Sequence, residues 1–199
     1  LGNIQRETLR IQELVDRMME LAALESRRQI EHPEAVALRP LLHELAASAQ
    51  PVAAARRIDV VVLPGGEGDE GEGDAAVVEG DALLLRRAIG NLLDNAIDFS
   101  PTGGRVTLQL ATHGQRGGGG SVDVIVRDQG PGIPDYADDK VFERFYSLAR
   151  PHTQKKSTGL GLAFVKEIAE LHRGRVNLRN AADGKGAVAV LTLPQMTVR

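Results

Sequence analysis

Hydrophobic residues in this chain recur at spacings of three and four in some stretches and of two in others, and the two patterns come in blocks. A spacing of three to four marks one face of a helix, and a spacing of two marks one face of a strand. In order, the 199 residues read as helix, helix, strand, strand, helix, two strands, an irregular stretch, helix and two strands. Helices and hairpins segregate instead of strictly alternating. That order selects an α+β sandwich, a mixed sheet with helices on one face, over a doubly wound parallel sheet.

The first helix covers residues 1 to 25, with Ile4, Ile11, Leu14, Val15, Met18, Leu21 and Ala22 on one stripe. One amphipathic helix cannot bury its stripe alone, so the pattern predicts a helical hairpin or a dimer seam, with an ordinary surface helix as the plainer alternative. His32-Pro33 interrupts it, and a second helix runs from Ala37 to Arg57 with Leu38, Leu41, Leu42, Leu45 and Ala49 on one side. Asp81 is placed to cap a third helix that reaches about Phe99, and Leu160 to Leu171 form a fourth. Strands are expected at Ile58 to Leu63, Arg105 to Thr112, Val122 to Arg127, Arg175 to Arg179 and Ala187 to Leu193. Pro64 to Asp74 is almost entirely Gly, Glu and Asp and reads as a solvated acidic loop. A second Gly-rich loop, Gly117 to Gly120, joins a hairpin, and residues 135 to 158 are polar and irregular around Val141 to Tyr146.

Composition narrows the function. With no cysteine, disulfide scaffolds, thiolate zinc sites and cysteine nucleophiles are excluded. A net charge of -3 and a pI near 6.0 argue against nucleic acid as a partner. No run approaches a membrane-spanning length, and Leu1 opens no export signal. The length allows one full domain and a smaller piece.

Three segments carry possible chemistry. In Asn91-Leu92-Leu93-Asp94-Asn95-Ala96-Ile97-Asp98-Phe99 the two asparagines lie four apart, on one helix face with Arg87 and Phe99. Their amide oxygens are neutral, hard ligands suited to a Mg²⁺ that already carries phosphate, although two surface amides would look the same. Asp128-Gln129-Gly130-Pro131-Gly132-Ile133-Pro134 follows a strand, so Gly130 and Gly132 allow a sharp turn close to a flat ligand. Asp128 there offers an acceptor for an exocyclic amine such as adenine's. Thr158-Gly159-Leu160-Gly161-Leu162 opens a helix whose free N–H groups face whatever lies before them, with Lys155 and Lys156 just upstream. No Walker-type or Rossmann-type unit occurs where those motifs require it.

Taken together and in this order, the three segments resemble the N box and the first two glycine boxes of the GHKL ATPase superfamily. Phe142-Glu143-Arg144-Phe145-Tyr146 resembles the F box of sensor histidine kinases, and Gly184-Lys185-Gly186 before a strand ending Leu193-Pro194 resembles the closing glycine region. The match covers roughly residues 38 to 194. The resemblance implies a Bergerat-type two-layer α/β sandwich at residues 33–199 and, at 1–32, the second helix of a dimerisation and phosphotransfer hairpin.

It further implies ATP and Mg²⁺ as cofactors, with Asn95 as metal ligand and Asn91 a polar partner near the phosphates, these two standing as the catalytic pair. Asp128 would bind the adenine amine, Gly130 and Gly132 would shape the base pocket, and Phe99 would pack near the ring. Lys156, Thr158, Gly159, Leu160 and Gly161 would meet the phosphates, while Phe142 and Phe145 would anchor a lid spanning about Asp135 to Thr158. The implied reaction is γ-phosphoryl transfer to a histidine upstream of residue 1 and then to a response-regulator aspartate, within a homodimer joined by the hairpin. The chain would be the cytoplasmic portion of an inner-membrane sensor kinase, binding nucleotide without phosphorylating itself, since none of its five histidines sits in an acceptor pattern. An ATP-sensing scaffold without transfer activity and an anti-sigma-type serine kinase are the alternatives.

The chain departs from the resemblance at four places. Asp98 stands where many relatives carry a basic residue. Facing the phosphates, a like charge at ~8 Å would cost about 2 kcal/mol at an effective dielectric of about 20, so Asp98 is expected to point to solvent or to an arginine. Ser147 replaces an arginine, which leaves Arg144, Arg150, Lys155 or Lys156 to supply any lid cation. Ser157 replaces a glycine, and Ala187 a threonine.

Overall fold

The computed structural model describes residues 2–64, 76–114, 119–138, 140–150 and 157–196. The main sheet has five strands in the order β2 (Asp59–Val62), β4 (Arg105–His113), β5 (Ser121–Arg127), β7 (Ala187–Pro194), β6 (Arg175–Asn180). Only β2 and β4 run parallel; the remaining pairs are antiparallel. The period-two pattern sets the faces. Val106, Leu108 and Leu110 on β4 and Val122, Val124 and Val126 on β5 are buried, and the register pairs Leu108 with Val126 and Leu110 with Val124.

Helices cover this face. α2 (Leu38–Ala55) lies over β2 and β4, α3 (Ala82–Phe99) over β4, β5 and β7, and α4 (Gly161–Leu171) over β6 and β7. The expected α+β sandwich is the observed architecture. The second helix starts one residue late: Ala37 is not helical but ends β1 (Glu34–Ala37), which pairs antiparallel with β3 (Val77–Gly80) in a separate two-stranded sheet. Four-residue strands carry too little alternation to stand out beside a helix. The stretch Val141 to Tyr146 forms turns, not a regular element. Most of the acidic loop, and Gly117 and Gly118 of the second loop, lie outside the described residues.

α3 is fixed at both ends. Asp81 Oδ1 accepts from the N–H groups of Leu83 and Leu84 at 2.9 and 3.0 Å, the expected N-cap. Its backbone N–H in turn donates to His172 Nε2 at 3.0 Å, while His172 Nδ1 donates to the Ile168 carbonyl at 2.7 Å. Gly80 makes room, since a Cβ there would strike the imidazole. At the other end Arg56, just past α2, donates to the carbonyls of Ile97 and Ser100 at 2.6 and 2.9 Å and so satisfies groups a helix C-terminus leaves open.

α1 (Gly2–Glu25) divides along its length. Leu21 and Leu24 sit in the same core as the sheet, whereas Leu9, Ile11, Val15, Met18 and Met19 are exposed. Glu20 pairs with Arg87 at 2.6 Å and Glu25 with Arg144.

Candidate functional site

α3, the turn after β5 and the start of α4 enclose a cavity of about 1010 Å³, at the upper end of small-ligand sites. Asn91, Asn95 and Phe99 line it from α3, one face of one helix as their spacing requires. Asp128 and Gly132 line it from the turn, and Thr158, Gly159 and Gly161 from the entry to α4. Residues up to 70 positions apart thus meet across one space. Arg87 shares the asparagine face but pairs with Glu20 and stacks on Phe164, 3.9 Å from its ring centre.

Asp128 is buried at 8% exposure. Its Oδ1 accepts two backbone bonds, from Gly130 N–H at 2.7 Å and Ala187 N–H at 3.1 Å, which leaves Oδ2 to a donor in the cavity. Burial pushes its carboxyl above the ordinary aspartate value, partly offset by those two bonds and by Arg127. Gly186, at φ +81°, lets β7 approach: a Cβ there would overlap the Asp128 carbonyl oxygen.

Gly130 does not line the cavity. It lets the turn pass the Phe99 carbonyl, which a Cβ would meet at 2.6 Å. Leu160 does not line it either; its side chain is in the core, and the helix begins one residue later at Gly161. The first helical bond at that end is Phe164 N–H to Leu160 O, so the preceding N–H groups have no helical acceptor. Lys155 and Lys156 lie outside the described residues.

Phe142 packs, half-buried, against a small cluster of Ile133, Ala137, Val141 and Ala187. Phe145 does not pack; it is exposed with φ +63°, and its anchor is the backbone, N–H to Gly159 O at 2.9 Å. Ser147 and Ser157, two of the departures, hydrogen-bond each other through Oγ at 2.7 Å. Asp98 pairs with an arginine as expected: Oδ2 with Arg150 Nη2 at 2.7 Å, and Oδ1 within 3.7 Å of Arg56. Arg150 lines the cavity at 17% side-chain exposure, while Arg144 pairs with Glu25.

Two contributors escape sequence reading. Asn180, at the end of β6, holds the turn through Ile133. Arg10, Glu13 and Arg17 of α1 line the cavity mouth. Their spacing marks a helix face, but nothing in it names what that face meets.

Among the described residues no cluster of three or more His, Cys, Asp or Glu could hold a metal. The Asn91 and Asn95 amides suit a hard cation.

A helix-covered mixed sheet thus carries one cavity that joins an asparagine helix, an aspartate-glycine turn and a glycine-opened helix. The family described as histidine kinase-, DNA gyrase B- and HSP90-like ATPase matches residues 80–197, and the chain belongs to it. Among its relatives, the sensor protein CreC of Escherichia coli (strain K12) is 40% identical over 191 residues, 96% of this chain and 37% of that protein. The sensor histidine kinase RppB of Synechocystis sp. is 31% identical over 199 residues, 100% of this chain and 41% of that protein. The chain therefore spans less than half the length of these relatives. In structure it resembles the mycobacterial sensor histidine kinase MprB, with a TM-score of 0.65, 29% identity and coverage of 84% of this chain and 100% of that one. It also shares the fold of full-length ShkA in complex with AMPPNP, with a TM-score of 0.75 and 23% identity over 99% of this chain and 38% of that one.

Proposed function

We propose that this chain is the ATP-binding catalytic part of a two-component sensor histidine kinase, residues 1–32 being one helix of the phosphotransfer hairpin and 33–199 the catalytic domain. The observation that carries the reading is the convergence of Asn91, Asn95, Asp128, Gly132, Thr158 and Gly161 on one cavity. Relatives named as a sensor protein and a sensor histidine kinase align over nearly the whole chain.

In this reading Asp128 Oδ2 accepts from the adenine amine, and its Oδ1 bonds hold the carboxylate in place. Phe99 and Ile133 flank the base. The open N–H groups at Gly161 receive phosphate oxygens. Asn95, with Asn91 beside it, holds Mg²⁺, which when bound neutralises charge on the phosphates. The protein's part in transfer is to position the nucleotide and exclude water; the nucleophile is a histidine supplied from outside residues 1–199. A response-regulator aspartate then takes the phosphoryl group. The departures at 98 and 147 do not favour the inactive scaffold, because Arg150 returns a cation to the cavity and Ser147 pairs with Ser157.

Mixing this chain with a separately made hairpin carrying an acceptor histidine, and adding ATP labelled in its γ-phosphate, tests the proposal. Acid-labile label on the hairpin is expected. ATP binding without any transfer would overturn the kinase reading and leave the scaffold.

A further inference from the structure

Arg150 is an unusual group to find in the cavity wall. Its side chain is 17% exposed, and its Nε is buried with no hydrogen-bond partner among the described residues. Among the described residues its ion-pair partner is Asp98, at 2.7 Å from Nη2. Asp98 is itself held: it lies on the last turn of α3, 27% exposed, with Arg56 at 3.7 Å from its other oxygen. Arg56 is pinned by its bonds to the Ile97 and Ser100 carbonyls, so it stays with the helix end. The carboxylate is therefore fixed while the arginine opposite comes from the irregular segment.

A guanidinium presents five donors in a planar fork and satisfies them best against carboxylate or phosphate oxygens. Arg150 uses part of that fork on Asp98 and leaves Nε unmet. A phosphate entering beside Asn95 would compete with the Asp98 carboxylate for the guanidinium donors. It would also bring negative charge toward the Asp98 carboxylate.

We propose that Asp98 is an internal competitor for Arg150: it holds the arginine in the cavity wall and must give it up when the terminal phosphate of a nucleoside triphosphate binds. This rests on the ATP-binding reading above and adds a regulating residue to that site. Asp98 lines the cavity beside Arg150, and by holding that arginine it sets how strongly the site prefers a triphosphate over a diphosphate.

The test is a double-substitution cycle on the whole chain, with Mg-ATP and Mg-ADP affinities measured by calorimetry. Asp98→Asn keeps the shape of the side chain, and thermal melting confirms folding of each variant. Asp98→Asn is expected to tighten ATP several-fold and ADP less, and Arg150→Gln to weaken ATP more than ADP. The decisive comparison is between backgrounds. Competition predicts that Asp98→Asn improves ATP binding more when Arg150 is present than in an Arg150→Gln background, because only there is an ion pair broken. An equal gain in both backgrounds means simple charge repulsion and overturns the proposal. So does a loss of affinity on Asp98→Asn, which would make Asp98 a support for Arg150. A wild-type chain that binds no ATP would overturn the underlying reading as well, an outcome distinct from both.

Discussion

Asn180 holds Ile133 by both of its backbone groups: the side-chain oxygen accepts from Ile133 N–H at 2.7 Å, and the side-chain amide donates to Ile133 O at 2.9 Å. Gly132, next to it with φ +78°, leaves the room that this clamp occupies, since a Cβ there would collide with Asn180 Oδ1. A residue 47 positions away thus sets the shape of the turn that lines the cavity.

Asn180→Ala should therefore loosen the turn without touching the phosphate end. Two lost hydrogen bonds at about 1 kcal/mol each predict up to roughly thirtyfold weaker binding of ATP and of adenosine alike. Calorimetric titration of both ligands checks this; a loss confined to ATP would place the effect elsewhere.

Asn95→Ala removes the amide proposed to hold Mg²⁺. Binding of Mg-ATP should fall to background, while the fold, followed by circular dichroism, is retained because Asn95 is half-exposed on the cavity side of α3. Unchanged affinity would remove Asn95 from the metal role.

Asp128→Asn should trade function against stability. Burial raises the Asp128 pKa above 3.8, so between that value and the raised one the folded state binds more protons than the unfolded state. Stability from this group accordingly falls as pH rises through that window and stays lower at neutral pH. The asparagine variant should gain stability relative to wild type as pH rises through that window and keep the gain at neutral pH. It presents an amide donor where adenine's amine needs an acceptor, so ATP binding should weaken on the order of tenfold to a hundredfold. Melting curves across pH, with nucleotide titration at neutral pH, measure both effects.

His172 predicts the opposite slope. Burial lowers its pKa below 6.5, against smaller opposing effects of the Ile168 carbonyl and Asp81, and its Nε2 must be unprotonated to accept from Asp81 N–H. Its contribution is complete above pH 6.5 and is lost as pH falls below that value through the folded-state pKa. The melting temperature should drop across that range, and His172→Gln, which cannot titrate there, should flatten the drop. An identical slope in the variant would assign it to other groups.

Much of this was legible beforehand for physical reasons. Periodicity reports which face of a helix or strand is apolar, so α2, α3, α4 and the five-stranded sheet could be read from spacing. Glycine pairs in order, with an aspartate and two asparagines, report where backbone must come close to a ligand, and that order named the family. The second strand expected before the third helix, to which spacing gives no bounds, is β3, whereas β1 has too few residues for a period to show and its last residue reads as a helix start.

What the sequence determined, then, was the set of amphipathic faces and the local chemistry of each box, because both depend on neighbours within a few positions. The tertiary structure alone decided which distant groups share a space. Asn180 on Ile133, Arg150 on Asp98 and the α1 arginines at the cavity mouth are long-range pairings. It also decided that Leu21 and Leu24 of the first helix enter the main core while Ile11, Val15 and Met18 remain exposed. Such pairings depend on how the sheet and helices pack and not on local spacing, so no window of sequence contains them.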